Sequence, residues 1–191
     1  MAYPIGSRVG SPPILETVPT DGTPPQGIQH NDIAIRNVML GIGDGIDEHH
    51  LGHIFKLIDF GQADATYNPN LGPPGNLFSI SEYVAFFINM ANINQRQQVI
   101  YKGFETRGGQ LLPQYWGEPY PWLDPDLAGL IAECMYDDWT RRPTLQQALD
   151  RASDAVLNKT AESFPEPEEE TDDAITDFVQ QFVPDYLSIV A

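Results

Sequence analysis

Apolar positions along this chain change their period several times, and each change predicts a different element. Val38, Met39 and Leu40 form one short apolar run and Ile54 to Ile58 a second, with a Gly-rich segment from Gly41 to Gly52 between them. Two such runs around a polar turn predict a β-hairpin, with loops at 28–37 and 59–61 at its open end. From Asn76 to Met90 apolar residues lie nearly all round a helix, which predicts one buried in the middle of a domain. Asp124 and Pro125 supply an N-cap and a first helical Pro. Leu127, Leu130, Ile131, Cys134 and Met135 give the helix that follows one apolar face, ending at Asp137 to Trp139. Thr144 with Gln147 predicts a capping box for a further helix, with Leu145, Ala148, Leu149 and Ala152 facing inward. Asn94 to Lys102 is a short-helix candidate. Gly108, Gly109 and the Pro-rich stretch Pro113 to Trp122 read as loop, in which Trp116, Tyr120 and Trp122 are more simply packing aromatics than a ligand platform.

Residues 1–27 hold six Pro among Ser, Thr and Gly and follow neither period, which predicts an extended or disordered arm. Pro165 to Glu170 is a charged, solvated linker. Beyond it Ile175, Phe178, Val179 and Phe182 recur at helical spacing. This predicts an amphipathic tail that docks through residues 175–182 on its own domain, the simpler outcome, or on a protein partner. The expected organisation is an arm at 1–27, one domain at 28–158, and an acidic linker with its tail at 159–191. A length of 191 residues suits one such core.

The net charge of −17 argues against nucleic acid or an anionic membrane as partner. Nine acidic residues and no Lys or Arg lie between Glu162 and Ala191, which leaves −8 on the rest. The single Cys134 excludes an internal disulfide and fits a reducing, intracellular compartment, cytoplasmic or nuclear. No apolar run is long enough to span a membrane, and the N-terminal residues lack a charged region followed by an apolar one.

The candidate chemistry sits at the open end of the hairpin. Asp32 and Asn37 precede it and Asp59 follows it, so closing the hairpin gathers them there. Mg²⁺ takes one or two carboxylates, amide oxygen and water, a set that Asn37 and Asp59 supply. Asp32 is then left to accept a hydroxyl proton. An oriented hydroxyl and Mg²⁺ are what phosphoryl transfer requires. His49, His50 and His53, in the turn beside Asp44, Asp47 and Glu48, match no metal-ligand spacing and read as a solvated hairpin tip.

The spacing His30-x-Asp32-x-x-x-x-Asn37, followed by Asp59-Phe60-Gly61, resembles the catalytic and metal-binding loops of the protein kinase superfamily. The run Cys134-Met135-Tyr136-Asp137-Asp138-Trp139-Thr140-Arg141-Arg142-Pro143-Thr144 looks like the last two helices of a protein kinase, an ending that aminoglycoside- and choline-kinase-like folds lack. The resemblance covers about residues 26–158. It implies a mainly α fold, a protein-kinase-like C-terminal lobe with a small β-hairpin carrying the active-site loops. It implies transfer of the ATP γ-phosphate to a hydroxyl, with Asp32 as base and with Asn37 and Asp59 holding Mg²⁺ and thereby the nucleotide. Arg36, placed with Ala34 as in the tyrosine-kinase form of the loop, implies charge stabilisation at the phosphate, with a surface salt bridge as the alternative. His30 would brace the loop backbone.

The departures from that pattern are specific. Asn31 stands where the family usually has an Arg that reads a phosphate. Asn76, with Ser79, stands where the central helix usually opens Asp-x-x-Ser, and Asn implies a weaker bond to the catalytic-loop backbone. Asn76 follows Asp59 by only seventeen positions, and the interval contains no Ala-Pro-Glu. The platform for a protein substrate and the usual Glu partner of Arg142 are therefore not implied. The first Lys of the chain is Lys56, so no clamping Lys precedes the catalytic loop. ATP is a partner in full only if an N-terminal lobe completes the site. The chain as it stands is expected to transfer phosphate very slowly or not at all, as a truncated kinase domain or as a pseudokinase-type binding module.

Overall fold

The computed structural model describes residues 27–41, 54–66, 71–89, 98–116 and 120–182. The expected arm up to residue 26, the histidine-bearing turn and residues 94–97 lie outside these. Gly27, expected to close the arm, instead opens the first strand. The described chain is mainly helical, with three antiparallel strand pairs.

The predicted hairpin is present. Strand β2 (Val38–Gly41) pairs with β3 (Ile54–Leu57), with Val38 opposite Leu57 and Leu40 opposite Phe55. It is flanked by a pair that local pattern did not suggest. Here β1 (Gly27–Gln29) runs antiparallel to β4 (Asp64–Thr66), with Ile28 opposite Ala65. The site loops are thus held between two strand pairs.

Helix α1 (Gly72–Asn89) begins four residues before Asn76, the first residue of the expected helix, and takes in Pro73, Pro74 and Gly75. Pro73 and Pro74 fall in its first turn, where backbone N–H groups have no helical acceptor and proline is tolerated. Nor is α1 buried all round. Gly72, Leu77, Ser81 and Ala85 are buried, whereas Ile80 and Phe87 are exposed. The helix packs on β1, α3 and α4, and these partners reach one side of it.

Val99–Tyr101 is a strand, β5, and corrects the expected helix over Asn94–Lys102. It pairs with β6 (Phe104–Thr106) through a two-residue turn at Lys102 (φ 48°) and Gly103 (φ 88°). Two left-handed residues give the turn twist that matches a hairpin. Beyond it, Thr106 is fully buried. Its hydroxyl donates to the Ala132 carbonyl at 2.6 Å and accepts from the Gly108 N–H at 3.0 Å. Gly108 is required there, since a Cβ would lie 2.8 Å from Ala132 Cα. A 3-10 turn (Gly109–Leu111) and a four-residue helix, α2 (Pro113–Trp116), replace part of the expected loop. Tyr120 and Trp122 pack edge to face at 6.0 Å, and the Tyr120 hydroxyl donates to Asn89 Oδ1. The Trp116 side chain lies outside the described residues.

Helix α3 (Pro125–Cys134) carries the expected cap, with Asp124 accepting from the Asp126 N–H at 2.7 Å. It ends at Cys134 with Met135 as its C-cap, and Trp139–Arg141 forms a separate 3-10 turn capped by Asp138. Helix α4 (Leu145–Asn158) has the full Thr144–Gln147 capping box. Of its expected inward positions Ala148 is buried, whereas Leu149 and Ala152 are exposed. Ala85, Leu111, Ala128, Ile131 and Met135 form the core, with Phe78 and Leu123 packed against it. Burial of a side chain such as Ile131 contributes roughly 1.5–3 kcal/mol.

The segment after α4 includes the expected solvated linker. It makes 3-10 turns at Ala161–Ser163 and Pro167–Glu169, with Glu166, Glu168 and Glu169 exposed. Lys159 bridges back to Asp124 and Asp126 of α3. The tail is helical, as α5 (Asp172–Phe182), and Ile175 lines a groove with α3 and α4. The side chains of Val179 and Phe182 lie outside the described residues. Among the described residues no helix is long and apolar enough to cross a membrane.

Glu133 ties three elements together, accepting from Lys102 at 2.8 Å and from Arg151 at 2.7 Å. Partial burial raises its carboxyl, but the Lys102 and Arg151 hydrogen bonds outweigh this and lower it below the ordinary glutamate value. A lowered folded-state pKa contributes stability that is present above the unfolded pKa and lost as pH falls through the folded one. Glu133→Gln is therefore expected to lose roughly 1–2 kcal/mol at neutral pH. The difference should close in acid below the ordinary glutamate value, where the native carboxylate is also protonating. Urea unfolding of both proteins at the two pH values checks this. An equal difference at both would mean that packing, not charge, carries the contact.

Candidate active site

The loop from His30 to Asn37 is anchored from below by α1. The Asn76 amide oxygen accepts the His30 N–H at 3.0 Å, and its amide nitrogen donates to the Ile28 carbonyl at 2.8 Å. One side chain thus grips both sides of residue 29. His30 is 1% exposed, and its ring lies against Phe60 with centroids 4.7 Å apart. His30 Nε2 donates to the Ile58 carbonyl at 3.1 Å, which leaves Nδ1 buried without a partner. The histidine therefore braces the loop against the residue just before Asp59.

A second tie runs parallel to it. Asn31 sits at φ 61°, and its amide donates to the Gln62 carbonyl at 3.1 Å. Asp59 also has φ 61°, and its Oδ1 accepts the Gly61 N–H at 3.2 Å, capping the 3-10 turn Phe60–Gln62. Left-handed backbone is disfavoured for most side chains, and Asn and Asp bear it best. Asn31 thus has a structural task of its own.

Arg36 and Asn37 share one short turn, Ile35–Asn37, and Asp32 lies three residues before it. Asn37 is buried, and its Nδ2 donates to the Asp32 carbonyl at 2.8 Å and to Asp32 Oδ2 at 2.9 Å. Arg36 Nη2 donates to Asp32 Oδ1 at 2.5 Å. The Arg36 hydrogen bond holds the Asp32 carboxyl below the usual aspartate value; desolvation opposes it and the Asn37 amide reinforces it. The Arg36 side chain is 67% exposed and that of Asp32 19%. The surface salt bridge that stood as the alternative role for Arg36 is made with the candidate base itself.

Backbone pairing sets where Asp59 lies. The Ile58 N–H donates to the Asn37 carbonyl at 2.8 Å, which continues the β2–β3 ladder by one step. Asp59 is the next residue. Asp32, Arg36 and Asn37 therefore form one hydrogen-bonded unit, and Asp59 stands beside its Asn37 end with its carboxylate turned onto Gly61. With Asn37 Nδ2 committed to Asp32, Oδ1 is the atom the amide can offer a cation. Among the described residues no group of three or more His, Cys, Asp and Glu side chains gathers as a metal site. Mg²⁺ asks for less, one or two carboxylates with amide oxygen and water, and Asn37 with Asp59 fits that donor set.

Arg142, whose partner could not be read from sequence, bonds to backbone. Its Nε donates to the Tyr136 carbonyl at 2.8 Å and its Nη1 to the Pro74 carbonyl at 2.9 Å. The guanidinium lies over Phe78, 4.6 Å from the ring centroid, and burial lowers its pKa. It joins the start of α1 to the turn after α3. Large apolar side chains are also exposed on and beside the hairpin, among them Met39, Phe60 and, at 71%, Phe55. Comparison with family models, curated proteins and solved structures finds no match to this chain.

Proposed function

We propose that the chain is a protein-kinase-like phosphotransferase domain, built as the C-terminal lobe of that fold, which passes the γ-phosphate of ATP to a hydroxyl. The observation that supports this most is the Asp32–Arg36–Asn37 unit at the open end of the hairpin, with Asp59 next to it. Asn37 and Asp59 would hold Mg²⁺, which when bound neutralises charge on the phosphates. Asp32 orients the hydroxyl and accepts its proton. Its lowered pKa keeps it ionised through mildly acidic pH and makes it a weaker base. Arg36, exposed and only one bond from Asp32, is the cation within reach of a transferred phosphate.

A second reading, a pseudokinase-type binding module without catalysis, is favoured by the same ion pair, since both Asp32 carboxylate oxygens are already engaged. The two readings part on measurement. ATP binding is expected to be weak and Mg²⁺-dependent, and Asp59→Ala to weaken it by about tenfold or more. ATP turnover by this chain is expected to be very slow, and Asp32→Ala to remove what there is while leaving nucleotide binding. Turnover that persists in Asp32→Ala sinks the base assignment. Nucleotide binding indifferent to Mg²⁺ and to Asp59→Ala sinks the phosphotransferase reading and leaves the binding module.

A further inference from the structure

A groove of about 450 Å³ lies between α3, α4 and α5, and it shares no residue with the loops that carry Asp32 and Asp59. Its volume falls within the range of pockets that bind organic ligands or anchoring side chains. The walls are apolar. Leu130 of α3, Ala152 and Val156 of α4, and Ile175 of α5 face it. Small alanines leave the floor open, and Val156 is 81% exposed although it is a large aliphatic residue. The rim is acidic, with Glu170 and Asp172 on one side and Asp126 on the other. Lys159 is already committed to Asp124 and Asp126, and Arg151 to Glu133. From Glu162 to Asp177 there are eight acidic residues and no Lys or Arg.

We propose that this groove docks a basic amphipathic segment of a partner protein, with apolar side chains on the alanine-lined floor and Lys or Arg on the carboxylate rim. Charge decides among occupants. An acidic peptide meets like charge at the rim, and a second copy brings the same rim and a net charge of −17. A neutral apolar ligand would leave the rim unused. The inference stands apart from the phosphotransferase reading, because no candidate catalytic residue enters it.

The probe is a fluorescein-labelled helical peptide of repeating Leu and Lys, followed by anisotropy on the full chain. A matched peptide with Ser for every Leu serves as control. The Leu peptide is expected to bind and the Ser peptide to bind about tenfold more weakly or worse. Ala152→Trp, at an exposed wall position, is expected to weaken the Leu peptide by about the same factor, with the circular dichroism of the wild-type chain. Glu170→Gln with Asp172→Asn should weaken it and flatten its salt dependence, and this pair carries the test if the Trp variant does not fold. Asp32→Ala should leave binding unchanged. Equal binding of the Ser peptide would reduce the effect to bulk charge and overturn the proposal. Full affinity in a folded Ala152→Trp would also overturn it. So would a concentration-dependent dimer in sedimentation that Ala152→Trp abolishes, which would give the groove to a second copy.

Discussion

Arg142→Ala is expected to lower the unfolding free energy by about 2–4 kcal/mol. The change removes the donors to the Tyr136 and Pro74 carbonyls and the guanidinium stacked on Phe78. The two carbonyls lose their charged donor, and the start of α1 loses its tie to the turn after α3. For a chain of this size the loss corresponds to roughly 5–15 °C in Tm. Arg142→Lys should recover little, because a point ammonium cannot fork across two carbonyls. Arg141→Ala is the control. That side chain is exposed and its pairing with Asp138 is loose at 3.9 Å, so a change within about 0.5 kcal/mol is expected. Scanning calorimetry of the three variants settles the matter. A Tm for Arg142→Ala as close to wild type as that of Arg141→Ala would mean that other donors satisfy the two carbonyls.

The second large effect is expected at Asn76. The protein-kinase resemblance places Asp at this position and implies that Asn makes a weaker bond. In this chain the amide does two things at once, accepting from the His30 N–H and donating to the Ile28 carbonyl. Asn76→Ala leaves both backbone groups unpaired and is expected to cost about 2–3 kcal/mol. Asn76→Asp strengthens the first bond with charge, but sets a carboxylate oxygen against the Ile28 carbonyl where a hydrogen bond now stands. The expected order of stability is Asn, then Asp about 1 kcal/mol lower, then Ala. Hydrogen exchange at the His30 amide should quicken in the Ala variant, because that amide loses its acceptor. An Asp variant as stable as wild type would show that the bond to Ile28 contributes nothing.

The sequence by itself determined the elements whose signals lie within a few residues. The Asp124–Pro125 start of α3, the Thr144–Gln147 box of α4 and the apolar spacing of α5 are all of this kind. The β2–β3 hairpin was legible because two apolar runs flank one turn, and with it the placement of Asp32 and Asn37 at the hairpin's end. The turn at Lys102 and Gly103 was also written locally, and the helix expected over Asn94–Lys102 overlooked it. What only the tertiary structure decided depends on partners far apart in the chain. The pairing of β1 with β4, the tie from Asn31 to Gln62 and the engagement of Arg142 with Pro74, 68 residues away, are such cases. Several of the acceptors are backbone carbonyls, which every residue possesses, so no side-chain pattern marks the one that will be used. The one-sided burial of α1 has the same origin. Its apolar residues run nearly all round, and which of them are covered depends on where β1, α3 and α4 come to rest.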